Sequence, residues 1–340
     1  MAEAGDCRAT RIIELAGSAL ARFWPRGTEK MITVGRFCRW CAIAVSLCTV
    51  AGCVPIAIME PAEVVAGLSD LILHPNTTCE ELRSRFGLDL EVVNNPAEAG
   101  LSYEEVRIPI DETKSLRAWY MPTEEDLGTV IVSMGDAGNM ACYLYTANLL
   151  LSNGWSVVMY DYEGFGGSDG TPTLYALSRD LRAVIDWTRN ATGRDQVTLM
   201  GMSLGSIPSV ALAVQYPEAV NAVVLDSPIA LRRQIFRFGF LVAGQSVPLV
   251  NRLSSDLLSD DLISGLHQPL LIFAHGRDFI SDPASVELLF DRAGGPKELV
   301  MFPMLGHSSG QFYATGYYVQ YLTDFLMRVW TGHDFAAAAE

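Results

Sequence analysis

Short apolar runs recur along the chain from residue 103 onward, and their order predicts the fold. Two alternating segments, 103–110 and 115–122, predict an antiparallel hairpin. Runs rich in Val, Ile and Leu, typical of strands buried in a parallel sheet, follow at 129–134, 156–161, 196–201, 222–226, 269–276 and 298–303. Helical stretches separate them, at 138–152, 173–190, 204–216, 283–293 and 311–330. This alternation predicts an α/β domain over residues 101–330, with a mostly parallel, doubly wound sheet.

One connection in this domain is longer than a crossover between parallel strands needs. Residues 228–267 begin with a helical, apolar stretch that contains Phe236, Phe238 and Phe240, and they end in an acidic stretch. We predict a small helical cap over the carboxyl edge of the sheet. The three phenylalanines pack in the core or line an acyl pocket, and the pattern leaves both interpretations open.

The first 53 residues have the pattern of an export signal. Arg36 and Arg39 precede an uncharged apolar run that ends in Val-Ala-Gly-Cys53. This ending resembles the bacterial lipoprotein processing box. The resemblance implies that Cys53 is lipidated, that residues 31–52 are a removed signal peptide and that residues 1–30 are an upstream extension.

Two other interpretations of this segment stay open. Residues 40–59 contain no charged side chain, and about 20 apolar residues suffice for an uncleaved membrane anchor. The run is otherwise a buried helix of a cytoplasmic enzyme. In each case residues 53–100 predict an irregular, partly helical lead-in to the domain, and residues 331–340 predict a tail.

Composition narrows the class of partner. The 340 residues contain 24 Lys and Arg against 39 Asp and Glu, for a net charge of −15. This balance argues against nucleic acid, because binding phosphate requires basic patches. Five of the seven cysteines lie at or before Cys53, which leaves Cys79 and Cys142 and predicts no disulfide framework. Cys142 is expected to pack in a buried helix rather than to act as a nucleophile.

The segment Gly201-Met202-Ser203-Leu204-Gly205 lies between a predicted strand and a predicted helix. This is the context of a G-x-S-x-G elbow, in which small neighbours let a strained serine expose its hydroxyl above the sheet. A serine nucleophile needs a base, and the base needs an orienting acid. His307 follows the last strand and Asp278 follows the strand before it, which gives the chain order Ser203, Asp278, His307.

These residues resemble those of α/β-hydrolase-fold serine hydrolases, in the branch near serine-aminopeptidase-like and dienelactone-hydrolase-like proteins. The segments DYEGFGGSDGTPT (161–173) and GGPKELVMFPMLGH (294–307) carry the same resemblance. It implies the α/β-hydrolase fold and a Ser-Asp-His triad of Ser203, Asp278 and His307. It implies no metal and no cofactor.

The identity of the acid stays open at this point. The family usually has His-Gly-x-x-Asp after the acid strand, whereas this chain has His275-Gly276-Arg277-Asp278, one residue shorter. Asp278 has the family's spacing to the histidine. Asp282 is a rival, and Asp226 is a third candidate because some relatives carry the acid one strand earlier.

The resemblance places the oxyanion hole in SMGDAGN (133–139), with the backbone N–H groups of Asp136 and Leu204 as its donors. Backbone donors tolerate any side chain. A carboxylate close to a developing oxyanion would nevertheless oppose it by Coulomb repulsion, unless it points away or is protonated.

The sequence therefore predicts a serine hydrolase that cleaves a carboxylic ester or thioester of a small acyl-containing substrate. It would be attached to the cell membrane or outer membrane through lipidated Cys53, facing outside the cytoplasm. Three alternatives are a peptidase or amidase of the same fold, a catalytically silent lipoprotein that binds a partner, and a cytoplasmic hydrolase. The sequence gives no basis for an oligomeric state.

Overall fold

An eight-stranded sheet forms the centre of the protein. The structure, a computed structural model, describes residues 60–88, 91–239 and 245–332. The strands are β1 (Glu104–Pro109), β2 (Ser115–Met121), β3 (Thr129–Ser133), β4 (Ser156–Tyr160), β5 (Val197–Met202), β6 (Val220–Asp226), β7 (Leu270–His275) and β8 (Lys297–Phe302). Their order is β1-β2-β4-β3-β5-β6-β7-β8. Each strand lies within two residues of its predicted position at either end, and the predicted fold class is confirmed.

The first two strands are the antiparallel part of the sheet. Strand β1 pairs with β2 with Glu104 opposite Tyr120, and β2 pairs antiparallel with β4 with Ala118 opposite Tyr160. Strands β3 to β8 are parallel to one another. The carboxyl ends of the parallel strands therefore meet at one edge of the sheet, where the candidate site lies.

Helices cover both faces of the sheet. They are α1 (Pro61–Ile72), α2 (Cys79–Phe86), α3 (Leu144–Leu151), α4 (Ala176–Thr192), α5 (Ser206–Gln215), α6 (Leu231–Arg237), α7 (Ser246–Val250), α8 (Ser259–Leu262), α9 (Pro283–Arg292), α10 (Gly310–Tyr313) and α11 (Thr315–Thr331). Neighbouring residues of one strand belong to different cores: Ile131 packs in one, whereas Val130 and Val132 pack in the other. This alternation is why the central strands are apolar at every position.

A disulfide joins the lead-in to the domain. Cys79, the first residue of α2, is bonded to Cys142, which lies 63 residues later in the short 3₁₀ helix Met140–Tyr143. The sequence prediction of no disulfide framework missed this single bond. Cys142 packs against the domain not as a free thiol but as half of a covalent link.

The segment 228–267 contains α6, α7 and α8. Its later part packs against α5, and Leu257 and Ile263 are fully buried there. Phe236 contradicts the expectation that the phenylalanines pack in the core, because 48% of its surface is exposed. Its position on the outer face of α6 leaves it facing solvent.

The predicted N-terminal segments lie outside the described residues. These are the extension 1–30, the signal peptide 31–52 and the lipidation site Cys53; Phe240 and residues 333–340 of the tail lie outside them as well. Within the described ranges, no helix combines the length and the apolar character needed to cross a bilayer.

Candidate active site

The nucleophile elbow has the strained geometry that its glycines permit. Ser203 follows the last residue of β5 and has a φ of 50°, in the left-handed region. A Cβ at Gly201 would approach the Gly205 carbonyl oxygen to 2.5 Å, and a Cβ at Gly205 would overlap the carbonyl oxygen of Ser133. Only glycine fits at these two positions, so the strand can turn directly into α5 and leave the serine at the sheet edge.

A chain of hydrogen bonds joins the three predicted catalytic side chains. The Ser203 hydroxyl lies 2.9 Å from Nε2 of His307, and Nδ1 of His307 lies 2.8 Å from Oδ2 of Asp278. Oδ1 of Asp278 accepts the backbone N–H groups of Ile280 and Ser281, each at 2.8 Å. These bonds hold the carboxylate in one orientation, so that it fixes the imidazole ring with Nε2 toward the serine.

The two rival acids have other partners. Asp282 is the N-cap of α9, where it accepts the backbone N–H of Ser285, and it pairs with Arg237 at 2.9 Å. Burial raises the pKa of Asp282, but the Ser285 hydroxyl and the Arg237 guanidinium outweigh burial and lower it. Asp226 is fully buried and accepts the Tyr318 hydroxyl at 2.8 Å. Of the three candidates, the structure therefore brings only Asp278 to the histidine.

A second network fixes the loop that carries His307. The next residue, Ser308, has a φ of 46° and donates its N–H to the Ser227 hydroxyl at 2.9 Å. The same hydroxyl lies 2.9 Å from Nδ1 of His275, and Nε2 of His275 accepts the N–H of Gly310 at 2.9 Å. His275 is thus a buried structural histidine, and it braces both sides of the turn at residues 308–310.

His275 is neutral in this arrangement. Its Nε2 accepts a hydrogen bond, so the ring proton is on Nδ1 and points to the Ser227 hydroxyl. Burial lowers the pKa of His275, and the Asp226 carboxylate, 3.8 Å away, offsets this only in part. Protonating Nε2 would break the bond to Gly310.

The turn at residues 134–139 faces the serine and is held by residues from the resemblance segment 161–173. Tyr162 donates its hydroxyl to the Met134 carbonyl oxygen at 2.8 Å, and Asp161 accepts the Met140 N–H at 2.8 Å. Tyr143 donates to the carbonyl oxygen of Ala137 at 3.1 Å. Asp161 and Tyr162 of segment 161–173 therefore help to shape this turn.

Asp136 lies in this turn beside the serine, and its side chain is 44% exposed. Its Oδ2 is 3.4 Å from Nδ1 of His74, and its backbone oxygen accepts the His74 N–H at 2.7 Å. The sequence analysis missed His74, which precedes α2. Leu204 directly follows the serine, and the donor roles of Asp136 and Leu204 stay predictions.

A pocket opens beside the serine and encloses about 650 Å³, part of which is open to solvent. Ser203 and His307 line one part of it. The apolar lining residues are Leu82, Phe86, Leu88, Tyr145, Met202 and Phe312. Among the described residues, none of the predicted cap 228–267 lines this pocket. We define these six apolar residues and the space between them as the apolar pocket.

The part of the chain that the structure describes contains no candidate metal site. No group of three or more His, Cys, Asp or Glu side chains there is arranged to hold a metal ion. The absence of a metal and a cofactor from the reaction stays a prediction.

Comparison with known proteins identifies the fold. A family model for the alpha/beta hydrolase fold matches residues 129–241. The solved structure of the Pyrococcus furiosus esterase Pf2001 is similar to this chain with a TM-score of 0.59, at 18% identity, over 76% of this chain and 98% of the other. At this identity the similarity establishes the fold alone. The chain is an α/β-hydrolase-fold protein.

Closer relatives have no assigned activity. The uncharacterized protein Rv2307c of Mycobacterium tuberculosis is 32% identical over 208 residues, which are 60% of this chain and 72% of that protein. The uncharacterized membrane protein YNL320W of Saccharomyces cerevisiae is 24% identical over 64% of this chain and 77% of its own length. The chain belongs to the same family as this M. tuberculosis protein.

Proposed function

We propose that this protein is a serine hydrolase that cleaves a carboxylic ester or thioester through a covalent acyl-enzyme. The observation that carries the proposal is the continuous hydrogen-bond chain from the Ser203 hydroxyl through His307 to Asp278. This chain begins at the wall of an apolar pocket, where an acyl group could lie. The name of the Pyrococcus esterase adds support for ester cleavage.

The geometry accounts for each step of such a reaction. The Ser203 oxygen attacks the carbonyl carbon while Nε2 of His307 takes the hydroxyl proton, and the Asp278 carboxylate stabilises the imidazolium. The tetrahedral oxyanion accepts hydrogen bonds from the backbone N–H groups of Asp136 and Leu204. The intermediate collapses, and the leaving alkoxide or thiolate takes the proton from His307. Water then attacks the acyl-enzyme with the histidine again as base, and the acid is released.

A fluorophosphonate probe tests the nucleophile directly. We expect the wild-type protein to be labelled stoichiometrically, and Ser203→Ala to lose the label and at least about 10⁴-fold of its ester hydrolysis. Ser264→Ala, at an exposed serine that does not line the pocket, is the control and should keep both the label and the hydrolysis. Full hydrolysis by a folded Ser203→Ala protein would contradict the mechanism.

One observation favours the alternative of a catalytically silent binding protein. The Asp136 carboxylate lies at the turn where the oxyanion would form. Its negative charge would oppose the negative charge that develops on the oxyanion. In a silent protein, the wild type would resist the probe and Asp136→Asn would restore labelling. If the protein is a hydrolase, the probe labels the wild type, and Asp136→Asn only changes the rate of labelling.

We propose that the chain is exported and attached to a membrane through lipidated Cys53. The Cys79–Cys142 disulfide supports this location, because such bonds persist in oxidising compartments outside the cytoplasm. Incorporation of labelled palmitate tests it. Cys53→Ser should abolish the label, while Cys48→Ser, a neighbouring cysteine of the same apolar run, should retain it. Equal labelling of both variants would contradict the assignment.

A further inference from the structure

Helix α2 forms one side of the apolar pocket. Cys79, Leu82, Arg83 and Phe86 follow the spacing of one helical face, and the last three line the pocket. The opposite face of α2 carries exposed residues such as Glu80. The lead-in segment thus contributes a face that is apolar apart from Arg83 to a site whose chemistry comes from the sheet.

This helix is fixed at both ends. At its start, the disulfide joins Cys79 to Cys142, which itself lines the pocket. At its end, the Tyr313 hydroxyl donates to the carbonyl oxygens of Phe86 and Gly87, at 3.1 and 3.3 Å. Because Tyr313 belongs to α10, the helix just after the His307 loop, these bonds hold α2 at a set distance from the catalytic residues.

The other side of the pocket is aromatic. The rings of Tyr145 and Phe312 lie 4.9 Å apart between centroids, and Met202 borders the serine. A second groove shares Leu88, Tyr145 and Phe312 with the pocket, so apolar surface continues beyond the ring pair. Space bounded by aliphatic and aromatic side chains from both directions suits a flexible hydrocarbon chain.

We propose that the apolar pocket is the acyl-binding subsite, that α2 determines the preferred chain length, and that the substrates are esters or thioesters of apolar acyl groups longer than acetyl. This inference rests on the proposed function. It assigns selectivity to the lead-in helix and not to the segment 228–267, whose Phe236 is exposed and contacts solvent.

Hydrolysis of p-nitrophenyl acetate and octanoate by the full chain tests this assignment. Removing the Phe86 ring exposes part of a bound octanoyl chain, so Phe86→Ala should lower kcat/KM for octanoate by roughly 10-fold. Acetate does not reach the ring, and its kcat/KM should stay within about twofold. The matched control is Phe236→Ala, an aromatic truncation on α6, which should leave both values within about twofold.

An isomeric pair of esters identifies which half of the substrate the pocket holds. Ethyl octanoate and octyl acetate have the same composition, with the long chain on the acyl or the alcohol side. Phe86→Ala should slow hydrolysis of ethyl octanoate only. A loss confined to octyl acetate would overturn the acyl assignment.

Fluorophosphonate titration distinguishes failure of the subsite assignment from failure of the proposed function. Normal labelling of Phe86→Ala together with an unchanged ratio of octanoate to acetate would overturn the subsite and leave the proposed function intact. A shift of that ratio in Phe236→Ala would also overturn the subsite. No labelling of the wild-type protein would overturn the proposed function, and the subsite with it. Phe86→Leu, which keeps apolar volume, should recover part of the octanoate rate and excludes misfolding as the cause.

Discussion

The candidate site has two sides that are held in different ways. We call the catalytic side chains and the loops that carry them the chemical side, and the residues of the apolar pocket the pocket side. Ser203, Asp278 and His307 follow three parallel strands, and hydrogen bonds from buried loops fix the acid and the base. The pocket side includes α2, which precedes the sheet in the chain. Its links to the domain include the Cys79–Cys142 disulfide and the Tyr313 hydroxyl, and its lining side chains are only half-buried.

We expect this difference to separate the residues that set the reaction rate from the residues that set the preference for acyl chain length. Side chains placed by a sheet keep their geometry when a neighbouring segment moves, whereas a helix held at its two ends can shift without disturbing them. Changes on the chemical side should therefore alter the rate for every substrate. Changes on the pocket side should alter the ratio between long and short acyl chains.

The largest effect is expected on the chemical side, at Asp278. Asp278→Asn would stabilise the wrong tautomer of His307 and remove the charge that stabilises the imidazolium, so kcat for all esters should fall by roughly 10³- to 10⁴-fold. Steady-state kinetics with acetate and octanoate esters measures the loss. Asp282→Asn, which alters the cap of α9 and the ion pair with Arg237, should cost less than about 10-fold. A greater loss for Asp282→Asn would transfer the role of acid to that residue.

Removing the disulfide should produce the largest effect on the pocket side. A double Cys79→Ser, Cys142→Ser variant loses a link between residues 63 apart in the chain. On the chain-entropy account, the free energy of unfolding should fall by about 4 kcal/mol at most. Urea unfolding measures this value, and the rate ratio of octanoate to acetate should fall while acetate hydrolysis persists. Loss of acetate hydrolysis in a folded variant would contradict the separation of the two sides.

His275 gives the chemical side a pH dependence of stability. Its pKa in the folded protein is below the ordinary value of 6.5, so the unfolded chain binds the proton more readily. The contribution is complete above about pH 6.5 and is lost as the pH falls below that value. His275→Gln should flatten the fall in unfolding free energy as the pH drops below about 6.5. His267→Gln, at an exposed histidine, is the control, and an equal flattening there would contradict the assignment.

The smallest effect is expected at the far end of α2. Tyr313→Phe removes the hydroxyl that donates to Phe86 and Gly87, at a residue that is 57% exposed. We expect a loss of at most about 1 kcal/mol in stability and about a two- to threefold drop in the octanoate to acetate ratio. Tyr317→Phe, at a tyrosine that is 69% exposed, should change neither quantity. Equal effects at both positions would show that the hydroxyl contact does not set the pocket.

The chemical side was predictable because its signals are local. Gly201 and Gly205 flank the serine within one turn, and Asp278 and His307 each come directly after an apolar strand. Parallel strands bring such positions to one sheet edge whatever the intervening loops contain. The fold class follows from the same apolar runs.

The pocket side was not predictable because its contacts link distant parts of the chain. Nothing local to Cys79 or Cys142 indicates their pairing, although an exported chain with two remaining cysteines offers that signal. His74 carried no motif at all. The apolar pattern of 228–267 suggested a cover for the site, yet the same pattern also serves packing against α5, and periodicity alone does not say which surface a helix covers.

Gly205 limits how this site can vary among descendants of the chain. Because a Cβ there would overlap the Ser133 carbonyl oxygen, the nucleophile turn and the strand leading to the oxyanion turn are in backbone contact. Neither can be adjusted by mutation without moving the other. The two turns therefore behave as one unit, so a backbone shift at either one would displace both the nucleophile and the predicted oxyanion donors.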